Sequence, residues 1–120
     1  MTHYFYDSYA LVEIARDTLP YQPYQQGTFV LCIFNLYEFY HSLFRHEPQL
    51  AESFFDRLWE ACVEITPDDI KEAAQFRLKH HKERFSYADA LGYILARRRG
   101  LTFLTGDKAF EGLTGVEFVK

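Results

Sequence analysis

A chain of 120 residues is long enough for one core and too short for two, and its net charge of −4 excludes a protein that coats nucleic acid by bulk attraction. Hydrophobic residues at 48% and aromatics at 18% exclude a disordered chain, and the many Tyr and Phe predict a core built largely of rings. The opening MTHYFYD lacks the basic start and apolar stretch of a signal peptide, no apolar run is long enough for a membrane span, and Cys32 and Cys62 lack metal-type spacing. The expectation is a single domain over residues 1–120, cytoplasmic, away from membranes, with reduced thiols.

HYFY at 3–6 reads as a short aromatic strand ending at Asp7, and SYALVEIA at 8–15 as a helix burying Leu11, Ile14 and Ala15. LPYQPYQQG at 19–27 reads as a loop. TFVLCI at 28–33 is nearly continuous and apolar, like strands buried on both faces, and NLYEFYHSLFR at 35–45 then turns helical. Pro48 opens another helix with Leu50, Phe54, Leu58 and Ala61 on one face, and CVEIT at 62–66 reads as a third strand. Thr66 as N-cap and Pro67 at the first helical position begin the next helix. Ser86 caps YADALGYILARRR, with Ala88, Leu91, Ile94 and Leu95 inside and Gly100 as the stop. LTFLT at 101–105 and GVEFV at 115–119 are the fourth and fifth strands.

Strands alternating with single or paired helices call for a parallel sheet covered on both faces, an α/β fold. The helical stretch from about 35 to 61 predicts a hairpin of helices beside that sheet.

Acids recur at the strand ends of this map. Asp7 follows the first strand, Glu38 lies one turn into the helix after the second, and Asp107 follows the fourth. Asp89 lies in the first turn of the helix that leads into the fourth strand. Loops at the carboxyl ends of parallel strands share one edge, where ligands bind. Each acid has an ordinary reading as well. Asp7 and Asp107 can cap short helices, Asp89 completes an S-x-x-D capping box with Ser86, and Glu38 shares a polar stripe with Asn35, Ser42 and Arg45. As a group they would repel one another, and a stable cluster then needs a cation. All-oxygen donors suit Mg²⁺ or Mn²⁺ rather than zinc, and such an ion serves phosphodiester hydrolysis.

DSYALVEI after the first strand, NLYEFYHSL after the second, SYADALGYILARRRG and LTFLTGDKAF together resemble the PIN-domain ribonucleases, in particular the VapC-like toxins of bacterial and archaeal toxin–antitoxin pairs. The resemblance runs in order over the whole chain; its most specific part is the ADA helix followed by strand, hydroxyl, one residue, Asp and Lys. It implies a three-layer sandwich with a five-stranded parallel sheet, the first strand central between the second and fourth. It places Asp7, Glu38, Asp89 and Asp107 in an acidic metal site, Thr105 as the hydroxyl that steadies it, and Ser8 beside the first acid. The implied activity is Mg²⁺- or Mn²⁺-dependent endonucleolytic cleavage of RNA, with a metal-activated water attacking the phosphate in line. The implied partners are a cognate antitoxin and a second copy in a homodimer. The chain departs from the family in its aromatic first strand, its Gln-, Pro- and Tyr-rich segment after the first helix, and Gly106, where a polar or basic residue is common.

Lys79, Lys82 and Arg84 precede Asp89 and are candidates for gripping RNA, as is Lys108 beside Asp107. Arg97, Arg98 and Arg99 fall about 15 Å from Asp89 along the helix, too far for catalysis, and have flanking phosphates, a dimer partner or water as partners. His41 has the E-x-x-H spacing from Glu38 without the second copy that a carboxylate-bridged iron site needs. Two other functions stand beside the ribonuclease: a PIN-like binding module without turnover, and a phosphoacceptor domain with Asp7 as nucleophile. The second usually wants another acid beside the nucleophile, where Ser8 and Tyr9 stand.

Overall fold

In the computed structural model, which describes residues 2–120, the elements are β1 (Tyr4–Tyr6), α1 (Ser8–Ala15), α2 (Ile33–Phe44), α3 (Pro48–Glu60), α4 (Pro67–Lys79), α5 (Tyr87–Arg98), β2 (Thr102–Thr105) and β3 (Val116–Phe118). Short 3₁₀ turns occupy Leu19–Tyr24, His81–Glu83 and Lys108–Phe110. The strands pair in parallel in the order β1-β2-β3, with Phe5 opposite Phe103 and Leu104 opposite Glu117.

The sheet has three strands where five are expected. Of the segments 28–33 and 62–66, Leu31 and Cys62 form a single parallel bridge. Tyr6 N–H donates to Val30 O at 2.8 Å, so β1 has β2 on one side and a fragment of the second segment on the other. The cause is local. Asn35 reaches back to accept the Cys32 N–H at 3.1 Å, a capping box that starts α2 at Ile33 and cuts the strand short. The expected loop at 19–27 also differs, since its 3₁₀ turn buries Tyr21 completely and sends the phenol to Val119 O at 2.5 Å.

Alternation along the strands divides the core into two, one per face of the sheet. Tyr6 and Leu104 join Leu11, Ile14, Leu36, Phe39, Leu43 and Leu58 from α1, α2 and α3. Phe5 and Phe103 join Phe85, Leu91, Ile94, Leu95 and Phe110 on the α5 side, with Phe103 and Phe110 ring centroids 4.8 Å apart. Burying each such side chain is worth about 1.5–3 kcal/mol, so the two apolar layers fix which face of each strand points where. Gly92 lets α5 lie against the sheet: a Cβ there would sit 3.1 Å from Asn35 Nδ2, 3.2 Å from Phe5 and 3.3 Å from Phe103.

The start signals at Pro48, Thr66–Pro67 and Ser86 all stand at helix N-termini. Gly100 follows α5 with φ +68, the left-handed stop that glycine adopts without strain. The arginine run has partners inside the fold. Arg98 Nε meets Asp69 Oδ1 at 2.7 Å and its Nη1 meets Glu72 Oε1 at 3.0 Å, while Arg99 donates to Glu64 O at 2.7 Å. These bonds clasp the end of α5 to the start of α4. Among the described residues, no helix is long and apolar enough to cross a membrane.

Candidate active site

The carboxyl ends of β1 and β2 lie side by side, and a single hydroxyl ties their acids together. Asp7 N–H donates to Leu104 O at 3.0 Å, which sets Asp7 next to Thr105. The buried Thr105 hydroxyl donates to Asp7 Oδ2 at 2.6 Å and accepts the Asp107 N–H at 3.0 Å. Asp107 Oδ1 accepts the Ala109 N–H at 3.0 Å and so caps the following 3₁₀ turn. The capping reading of Asp107 and its presence in the site are thus both realised by one side chain.

Glu38 reaches in from α2. Its Oε1 accepts from the Ser8 hydroxyl at 2.9 Å and its Oε2 from the Ser86 hydroxyl at 3.0 Å. Asp89 forms the expected capping box: Ser86 N–H donates to Asp89 Oδ2 at 2.9 Å and Asp89 N–H to Ser86 Oγ at 3.0 Å. Asn35, expected on the water-facing stripe with Glu38, is instead fully buried in the first turn of α2, its side chain bonded back to the N-cap Cys32.

All four acids line one cavity of about 810 Å³, together with Ser8, Tyr9, Tyr37, His41 and Lys108. Arg16 and Lys120 also line it. Sequence reasoning passes over both: neither has a motif, and the topology alone brings them to this edge. Lys79, Lys82 and Arg84 are exposed residues at the end of α4 and in the turn after it, and are not among the cavity's lining. The cavity therefore holds one of the four basic residues considered for RNA, Lys108.

The electrostatics match a crowded acidic pocket. Burial pushes Asp7 from its ordinary 3.8 up to about 8, with the Asp89 and Glu38 charges adding to the rise and the Thr105 hydroxyl and Ser8 backbone opposing it. Burial, with the charges of Glu38 and Asp107, likewise pushes Asp89 up to about 6 against the bonds from Ser86. Asp7 Oδ1 is buried with no hydrogen-bond partner among the described residues. An orphaned carboxylate oxygen beside other acids, with donors that are all oxygen, fits a hard divalent cation. Among the described residues, no three His, Cys, Asp or Glu side chains form a ready ligand shell.

A second cavity, of about 650 Å³, adjoins the first and shares Tyr37 and Glu38 with it. Its walls on α2, α4 and α5 are apolar, and Tyr37, Ile70, Leu78 and Tyr87 are exposed around it.

The family profile of the PIN domain matches residues 3–115 of this chain. No curated protein sequence matches it. Among solved structures, the chain is similar to a toxin-antitoxin complex from Klebsiella pneumoniae, with a TM-score of 0.73, 15% identity, and 97% of this chain and 96% of that one covered. It is also similar to VapC20 of Mycobacterium tuberculosis, described as a Sarcin-Ricin loop cleaving toxin, with a TM-score of 0.76, 18% identity, and 98% and 99% of the two chains covered. At these identities the likeness is one of fold.

Proposed function

The chain belongs to the PIN domain family, and from that premise we propose that it is a divalent-metal-dependent endoribonuclease, the toxin of a toxin–antitoxin pair. One observation carries the reading: Asp7, Glu38, Asp89 and Asp107, from four separate segments, line one cavity in which Asp7 Oδ1 is buried and unpartnered. The fold shared with a toxin-antitoxin complex and with an RNA-cleaving toxin supports it.

In this reading Asp7, Asp89, Asp107 and Glu38 would hold Mg²⁺ or Mn²⁺. Such an ion would supply polarisation of a phosphate oxygen and a water acidic enough to serve as nucleophile near neutral pH. The residues of the chain prepare for it. Thr105 fixes Asp7 and Asp107 relative to each other, Ser8 holds Glu38, and Lys108 at the cavity wall meets the backbone charge of RNA. Lys79, Lys82 and Arg84, outside the cavity, would touch only the flanking strand. The cognate antitoxin and a second copy of the chain are the proposed protein partners; the exposed apolar groove beside the acids offers area of the kind that marks interfaces.

The second reading, a PIN-like binding module without turnover, is favoured by one observation: the four acids do not stand as a ready ligand shell. Cleavage of single-stranded RNA, assayed with Mg²⁺, with Mn²⁺ and with chelator, separates the two. The ribonuclease reading expects metal-dependent cutting that Asp89→Asn reduces by roughly 10²–10³-fold, the scale of losing one preorganised electrostatic group of an active site. Metal-dependent cutting that survives Asp89→Asn would remove the site assignment, and no cutting under any condition would favour the binding module.

A further inference from the structure

We infer that Ser86 is a positioning residue of this site, its one hydroxyl holding Glu38 beside the first turn of α5 and so keeping Glu38 and Asp89 together for an ion. The inference rests on the ribonuclease reading and goes further, to a residue outside the acidic set.

Ser86 makes three bonds to two acids. Its N–H donates to Asp89 Oδ2 at 2.9 Å, its Oγ accepts the Asp89 N–H at 3.0 Å, and its hydroxyl proton goes to Glu38 Oε2 at 3.0 Å. The first two bonds are the capping box of α5, a local matter between residues three apart. The third crosses to α2, 48 residues away in sequence. A control exists within the same chain. Thr66 and Asp69 form the same reciprocal box at the start of α4, with bonds of 2.8 and 3.2 Å. Among the described residues the Thr66 hydroxyl donates to no second acid.

The third bond has a physical purpose. Asp89 and Glu38 repel each other, and without restraint Glu38 can turn about three side-chain torsions to move away. Ser8 on one oxygen and Ser86 on the other remove that freedom. Groups that orient metal ligands from behind are worth roughly 10–100-fold in metal affinity when lost.

The test is Mn²⁺ binding by titration calorimetry on the intact chain, with thermal unfolding recorded for every variant. Ser86→Ala and Ser86→Gly are expected to weaken Mn²⁺ roughly 10–100-fold, and Ser86→Thr, which keeps the hydroxyl, to restore it. Ser86→Gly guards against loss of the fold, because glycine caps a helix almost as well as serine. Thr66→Ala is expected to lower the melting temperature as much as Ser86→Ala and leave Mn²⁺ affinity unchanged. Ser86→Gly binding Mn²⁺ like the wild type, or Thr66→Ala weakening it equally, would overturn the role of Ser86. A wild-type chain that takes up no Mn²⁺ would instead overturn the metal-dependent reading beneath it.

Discussion

Replacing Asp7 by Asn should stabilise the metal-free protein. Asp7 is buried, and its carboxyl is raised from 3.8 to about 8 in the fold. Between those values the unfolded chain has released a proton that the folded chain keeps. The unfolded state then binds fewer protons, so stability falls as pH rises, by about 1.4 kcal/mol per pH unit, and the loss levels off above about 8. From pH 4 to pH 7 the fall amounts to roughly 4 kcal/mol. Asn has nearly the same shape, can still accept the Thr105 hydroxyl, and carries no charge, at a cost of about 1–2 kcal/mol for an amide donor placed where Oδ1 is now unpartnered. The net expectation at pH 7 is a gain of about 2–3 kcal/mol, which for a chain of this length raises the melting temperature by about 10 °C. Thermal unfolding followed by circular dichroism in chelator, from pH 4.5 to 8, measures it. Wild type should melt progressively lower as pH rises and Asp7→Asn much less so; added Mn²⁺ should lift the wild type and not the variant. Parallel pH profiles, or an Asp7→Asn chain no more stable than wild type at pH 7, would refute the idea that the buried acid is held there for a cation.

Gly106→Ala should cost about 2–3 kcal/mol in urea unfolding, because its Cβ would stand 2.6 Å from the backbone oxygen of Val119 and clash with the edge of the Tyr9 ring. Gly100→Ala, in open space at φ +68, should cost only the roughly 1 kcal/mol of a left-handed residue, so the two midpoints separate crowding from conformation. Arg98→Ala should lower stability at pH 7 by leaving the buried Asp69 with one partner fewer. Burial raises Asp69, but bonds from Thr66 and Arg98 outweigh it and hold its pKa below 3.8, so it stabilises the fold above that pH. The penalty of the substitution should therefore shrink as pH falls through the carboxylate range, readable from urea midpoints at pH 7 and pH 3.

The helices and their boundaries were legible because capping chemistry is local. Thr66–Pro67, Ser86 and Gly100 each act on residues within one turn, and each stands where that chemistry places it. The strands were less legible. TFVLCI has the apolar run of a buried strand, yet its backbone is claimed at Cys32 by the Asn35 side chain, and a run of apolar letters does not reveal such a competitor. Asn35 itself was misplaced for the same reason, since a polar residue in a helical stripe reads as exposed until its bond to the cap is known. Asp7 and Asp107 were legible as strand-end residues, Glu38 as an acid one turn into its helix and Asp89 as an acid in the first turn of another. What joins them was not, because the bonds from Ser8 and Ser86 to Glu38 and from Thr105 to Asp7 span 30, 48 and 98 residues. The basic residues divided similarly: Lys108 lies in the cavity by adjacency to Asp107, whereas Arg16 and Lys120 arrive there only through topology.

The Thr105 bridge between Asp7 and Asp107 joins an acid near one terminus to one near the other. A polypeptide emerging from the ribosome carries Asp7, Glu38 and Asp89 well before β2 exists to receive them. Until Thr102–Thr105 slots in beside β1, Asp7 lacks its hydroxyl donor and has no link to Asp107. A chain interrupted before that point would carry three of the four acids without the strand that brings the fourth, because the site is assembled across the fold rather than within any one segment.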